Sequence, residues 1–183
     1  SRALAKLVHH FGWTWIGALA VDNRYGLNGM ALFIKAAKEY GVCIEYSEAF
    51  SLSGPPDSLQ NIIEIITHAT SKVIMAFMSH REIKLLATEF YRQNIKGMQL
   101  VGSDAWITDH SLTDSEGRSI LVGSLGFVVS KAQIPALEEH LRQIHRSQFP
   151  NRQFLRDFWE DLFNCALNDS EIKPCSGFES LLN

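Results

Sequence analysis

At 183 residues, 46% of them hydrophobic and 20% charged, the chain has room for one domain with a sizeable core, or one domain and part of another. A formal charge of -3 supplies no electrostatic footprint for nucleic acid or an anionic membrane surface, and no apolar run approaches the roughly 20 residues of a spanning helix. The first residue is Ser rather than Met and no signal-peptide pattern follows it, so the sequence reads as a piece of something longer.

Leu4, Leu7, Val8 and Phe11 recur at helical spacing and predict an amphipathic helix over 2–11, stopped at Gly12. Trp15 to Val21 is a continuous apolar run, the pattern of a strand buried on both faces. Asp22-Asn23-Arg24-Tyr25-Gly26 is turn chemistry. The next helix places Met30, Phe33, Ile34 and Ala37 on one stripe, and Gly41 follows it. Ile44 to Phe50 alternates in part, as a strand nearer a sheet edge does. After the loop Ser53-Gly54-Pro55-Pro56, Asp57 or Ser58 is placed to cap a helix that buries Leu59, Ile62, Ile63 and Ile66. Val73 to Met78 is a second fully apolar strand, ended by Ser79 and followed by a helix with Ile83, Leu86, Phe90 and Tyr91 on its inner face. Asn94-Ile95-Lys96-Gly97 turns the chain into a strand around Leu100.

Strands alternating with helices at intervals of roughly 25–30 residues are βαβ units. Such crossovers force an α/β fold with a parallel, doubly wound sheet and helices on both faces. Past Trp106 the pattern loosens. Residues 107–119 read as loop, Leu121 to Val129 as a Gly-containing strand, and Pro135 as the first turn of a helix carrying Leu137, Leu141 and Ile144. Phe149-Pro150-Asn151 breaks that helix, and Phe154 to Cys165 predicts a last one rich in aromatics. With no strand between these two helices, residues 130–183 look like the start of a different layer.

Enzyme signatures are missing. No strand runs into G-x-G-x-x-G, and there is no G-x-x-x-x-G-K-[ST] or G-x-S-x-G. The seven histidines lack metal-ligand spacing, so neither a cofactor nor a metal is expected. His9-His10 and Glu138-Glu139 read as solvated helix faces. The strand ends are more informative, because ligands of open α/β sheets bind beyond the carboxyl ends of the strands. Val21 leads to Asp22 and Tyr25, Met78 to Ser79, and Gly102 to Ser103 and Asp104. Brought to one edge, they offer an acid, a phenol and hydroxyls, a set suited to a small zwitterion. Asp104 can accept a charge-assisted bond from an ammonium, and the Tyr25 ring can face the same cation. Each residue also has a plain structural reading: Ser and Asp after a strand are common helix caps, Tyr-Gly is a common turn, and Trp106 can pack beneath its loop instead of closing over a ligand. Cys165 and Cys175, ten residues apart, flank Asn168-Asp169-Ser170, an N-glycosylation acceptor in a secreted chain. They are either a short extracellular disulfide loop or two reduced thiols. Cys43 is left over, for a partner outside this chain or as a buried free thiol.

These residues match a known family. The chain resembles the extracellular ligand-binding "Venus flytrap" module of family C G-protein-coupled receptors. The resemblance rests on Phe11-Gly12-Trp13-Thr14-Trp15-Ile16-Gly17, Tyr25-Gly26-x-x-Gly29, Gly41-Val42-Cys43-Ile44 and Ala69 to Val73. It continues through Gly102-Ser103-Asp104-Ala105-Trp106, Gly126-Phe127, Gln133-Ile134-Pro135 and Phe158-Trp159-Glu160-Asp161-Leu162-Phe163-Asn164-Cys165. The wording is nearest to the vomeronasal type-2 and fish olfactory branch, with the calcium-sensing receptor next. The resemblance implies a two-lobed clamp of the type I periplasmic-binding-protein kind, with lobe 2 at residues 1–128 and an incomplete, helical return segment of lobe 1 at 129–183. It implies that Tyr25 and Asp104 face the ligand cleft, with Ser103 a further ligand-binding candidate and Ser79 a less secure match, and that the acid takes the amino group of an amino-acid ligand. It further implies a Cys165–Cys175 disulfide, a bond from Cys43 to a cysteine-rich domain, a receptor dimer, and a G protein reached through a membrane domain. This segment would then lie outside the plasma membrane. The rival readings are a soluble periplasmic-type amino-acid-binding protein and a doubly wound enzyme using Asp22 or Asp104 as a base.

Overall fold

The structure is a computed structural model, and it describes residues 1–143 except Pro56, Ser115 and Lys131, together with 153–166, 173–176 and Glu179. The chain divides into two compact units, Ser1–Val129 and Ser130–Asn183.

The first unit opens with α1 (Arg2–His10) and then alternates strand and helix: β1 (Trp15–Val21), α2 (Arg24–Glu39), β2 (Cys43–Phe50), α3 (Ser58–His68), β3 (Val73–Phe77), α4 (His80–Arg92) and β4 (Gln99–Gly102). Short helices α5 (Asp104–Ile107) and α6 (Arg118–Leu121) precede the two-residue β5 (Leu125–Gly126). All pairings are parallel, in the order β2-β1-β3-β4-β5. The sheet therefore reverses its winding between β1 and β3, and it is beyond the carboxyl ends at such a switch point that open α/β sheets bind their ligands.

Alternation along the central strands builds two cores. Ile16, Ala18 and Ala20 of β1 and Val73, Met75 and Phe77 of β3 pack on α1 and α2, against Leu4, Val8, Met30 and Phe33. Leu19, Ile74, Ala76 and Leu100 point to the other face, where α3 and α4 lay Ile62, Ile63, Ile66, Ile83, Leu86 and Phe90 over them. Successive side chains of a strand leave on opposite faces, so a strand covered on both sides must be apolar throughout, as β1 and β3 are. Among the described residues β2 pairs with β1 alone, and its partly polar sequence follows from that edge position.

Several local expectations are corrected. Asn23 is a helix cap whose Oδ1 accepts from the Gly26 N–H at 3.0 Å, so Arg24, Tyr25 and Gly26 form the first turn of α2 rather than a loop. Asp57 stands at the start of α3 but makes no side-chain cap bond. Phe11 and Tyr91 are exposed; Phe11 stacks on Trp13 with ring centroids 4.8 Å apart. Leu121 to Val129 is not one strand: Leu121 closes α6 and only Leu125–Gly126 join the sheet, because Ile120 and Leu121 are spent on the α3–α4 core.

Among the described residues of the second unit, α7 (Leu137–Gln143) and α8 (Gln153–Phe163) are the helices. Pro135 lies outside α7, since Ala136 takes a left-handed φ of 62° between them. Asn164, at φ 48°, ends α8. The Cys165–Cys175 disulfide, with Cα atoms 5.0 Å apart, closes a loop whose ends form a parallel bridge between Ala166 and Pro174. Ile144, the Phe149-Pro150-Asn151 break and Asn168 lie outside the described residues.

Candidate functional site

β1, β3 and β4 are neighbours and parallel, so the residues that follow them leave from one edge. The Asp22 N–H donates to the Phe50 carbonyl at 2.7 Å, tying the end of β1 to the end of β2. α2 then starts so close to β1 that a Cβ on Gly26 would lie 2.1 Å from the Val21 carbonyl oxygen. That contact fixes the first turn of α2 against the strand end, and it aims Tyr25 across the edge toward β4.

The Tyr25 hydroxyl donates to Ser103 Oγ at 2.6 Å, across 78 residues of sequence. Its ring meets Phe77 edge-on at 6.4 Å, yet 43% of the residue remains exposed. Partial burial pushes the phenol above its ordinary value, and the negative charge of Asp104 pushes the same way against the Ser103 hydrogen bond. Ser103 is buried at 5% exposure and stands just before α5, making no cap bond of its own. Its hydroxyl is thus free to accept from the phenol. Asp104, the first residue of α5, is exposed.

Beneath this loop Trp106 is 2% exposed, and its Nε1–H donates to the Ala76 carbonyl at 3.2 Å. Of the two sequence readings for Trp106, packing under the loop is the one found. A Cβ on Gly102 would lie 2.4 Å from the indole ring, so glycine there lets the indole lie flat against the strand end. The result is a rigid shelf: β4 ends, Trp106 pins the next turn to β3, and Asp104 projects to solvent beside the Tyr25–Ser103 pair.

Ser79 reaches the same edge with another task. It caps α4, with its hydroxyl bonded to the Glu82 carboxylate, and its backbone N–H donates to Glu82 Oε2 at 3.1 Å. This reciprocal arrangement is a capping box, legible in Ser79-His80-Arg81-Glu82. Next to it, His80 Nδ1 lies 3.6 Å from Asp109 Oδ2, a contact between α4 and the turn after α5 that the sequence reading missed. The Ser111 side chain and backbone N–H, chiefly, hold the Asp109 carboxyl below its ordinary value, with smaller help from His80 and His110.

Cys43 is exposed and free, at the opposite end of its strand from this edge, so a buried thiol is ruled out. Among the described residues, one group of His, Cys, Asp and Glu has metal-like spacing, Cys165, Cys175 and Glu179, and its two sulfurs are already joined as the disulfide. No described helix is long and apolar enough to cross a membrane.

Residues 1–164 match the family model described as the receptor family ligand binding region. The chain is 33% identical over 174 residues to the extracellular calcium-sensing receptor of Sus scrofa, covering 95% of this chain and 16% of that receptor. The human calcium-sensing receptor is 32% identical over the same length. Metabotropic glutamate receptor 8 of Homo sapiens is 24% identical over 189 residues, covering 99% of this chain and 21% of the receptor. The chain thus spans a minor part of the length of these relatives, each of them a receptor by name. Its parallel five-stranded sheet covered by helices agrees with the type I periplasmic-binding-protein architecture, and the chain belongs to the ligand-binding region of the family C G-protein-coupled receptors.

Proposed function

We propose that this segment forms lobe 2 and part of the lobe 1 return of an extracellular clamp that senses free amino acids or related small amines. The observation that carries the reading is the Tyr25–Ser103 hydrogen bond, 2.6 Å long, set beside the exposed carboxylate of Asp104 at the switch point of the sheet. An ammonium between them gains a charge-assisted bond from Asp104 and the face of the Tyr25 ring. Ser103 holds the phenol in place without competing for the cation, because it accepts from Tyr25. Ser79 serves the site by fixing the start of α4 on the same rim.

In this reading residues 1–128 close onto a partner lobe. The ligand favours the closed state because only there does it touch both lobes, so the population shifts toward closure. The exposed Cys43, at the far end of the sheet, is positioned to carry that movement to a following domain. A receptor dimer, a G protein reached through a membrane domain, a chemosensory role and a glycan on Asn168 complete the proposal. Its test is Asp104→Asn in the full-length receptor. Loss of a bond to a charged group, about 1.5–3 kcal/mol, should raise the half-maximal amino-acid concentration about ten- to hundredfold. Unchanged potency, at equal surface expression, would remove Asp104 from the site.

A further inference from the structure

A concavity lies at the other end of β4. α4 ends at Arg92, and the turn into β4 uses left-handed backbone at Asn94 (φ 56°) and Gly97 (φ 76°). The Ile95 N–H returns to the Phe90 carbonyl at 2.8 Å, closing the helix end. Between this turn and α6 is a cavity of about 840 Å³ whose lining includes the apolar Ile95, Met98 and Ile120 and the basic Arg92 and Lys96. Asn94 and Ser119 add hydrogen-bonding groups to the lining. That volume falls inside the roughly 300–1,000 Å³ of small-molecule sites, which pair an apolar floor with a few polar groups.

The charges at this cavity are one-sided. Its described lining residues include two cations and no acid. Arg92 Nη2 lies 3.9 Å from Glu116 Oε2, with both side chains more than 60% exposed (63% and 65%). That is longer than a charge-assisted hydrogen bond, so the guanidinium has donors to spare. Lys96 makes no ion pair among the described residues. We propose that this cavity binds a small organic anion with an apolar body, such as an arylalkyl carboxylate, its acid group between Arg92 and Lys96 and its body on Ile95, Met98 and Ile120. The site is one strand length, about 13 Å for four residues, from Ser103, and it stands independently of the amine site.

The test uses the full-length protein that carries this segment, with 4-(4-fluorophenyl)butyrate as the probe followed by ¹⁹F line broadening. The corresponding alcohol and amine, of the same body, serve as charge controls. The butyrate should bind, the alcohol more weakly, and the amine not measurably. Arg92→Ala with Lys96→Ala should weaken the butyrate about tenfold and leave the alcohol unchanged. Ser119→Trp, a substitution at an exposed position, should block both by filling the space. Butyrate affinity that survives either variant would overturn the site, and equal binding of acid, alcohol and amine would overturn its preference for an anion.

Discussion

The link between Tyr25 and Ser103 can be tested as an energy. Tyr25→Phe removes the donor and leaves the Ser103 hydroxyl, in a residue 5% exposed, without its partner; an unsatisfied buried group costs about 1–3 kcal/mol. Ser103→Ala removes the acceptor instead, but Tyr25 is 43% exposed and can turn its hydroxyl to water, so the loss is about 0.5–1.5 kcal/mol. The double variant orphans neither group and should cost less than the sum, with a coupling of about 1 kcal/mol. Urea unfolding of the purified chain, followed by tryptophan fluorescence, reads these differences. With a slope of about 2 kcal/mol per molar, Tyr25→Phe alone should lower the midpoint by about 0.5–1.5 M. Two single costs that add to within about 0.3 kcal/mol would mean that the pair contributes nothing as a pair, and the shelf beside Asp104 would lose its anchor.

Two further outcomes follow from the same geometry. Gly102→Ala drives a methyl to 2.4 Å from the Trp106 ring. The overpacking, about 1–3 kcal/mol, and the weakened indole bond to Ala76 should lower the melting temperature and reduce amino-acid potency together; a normal melting temperature would contradict the packing described. Glu45 accepts from the Thr70 N–H and hydroxyl and from the Ser71 N–H, which hold its carboxyl at about 2 against an ordinary 4.5. A depressed carboxylate contributes stability above its unfolded value and loses it as pH falls through the folded one. Wild-type stability should therefore fall between about pH 4.5 and 2, and Glu45→Gln should flatten that fall; identical acid limbs would refute the assignment.

The central fold was legible because burial on both faces writes itself into sequence. Strands such as Val73–Phe77, with no exposed residue, must be apolar throughout, and their spacing leaves the parallel arrangement as the outcome. The edge residues were legible only as positions. That Ser79 spends its hydroxyl on Glu82 is written locally, in a serine followed three residues later by a glutamate. The Tyr25–Ser103 bond has no local sign at all, since its partners meet only when β1 and β4 flank β3. The Glu45 clamp on Thr70 and Ser71 is hidden for the same reason. Leu121 to Val129 misled because Gly123 reads equally as a glycine inside a strand and as a turn; in the structure it turns the chain at φ 85° between the end of α6 and the two-residue β5.

The proposed amine site is tested most directly by pairing a change in the protein with a change in the ligand. The full-length receptor and its Asp104→Asn variant would each be assayed with an agonist amino acid and with the same molecule lacking its amino group. If Asp104 holds the ammonium, deleting the amine should cost the wild type about ten- to hundredfold in potency and the variant almost nothing. Equal losses in both proteins would show that the amino group is bound elsewhere.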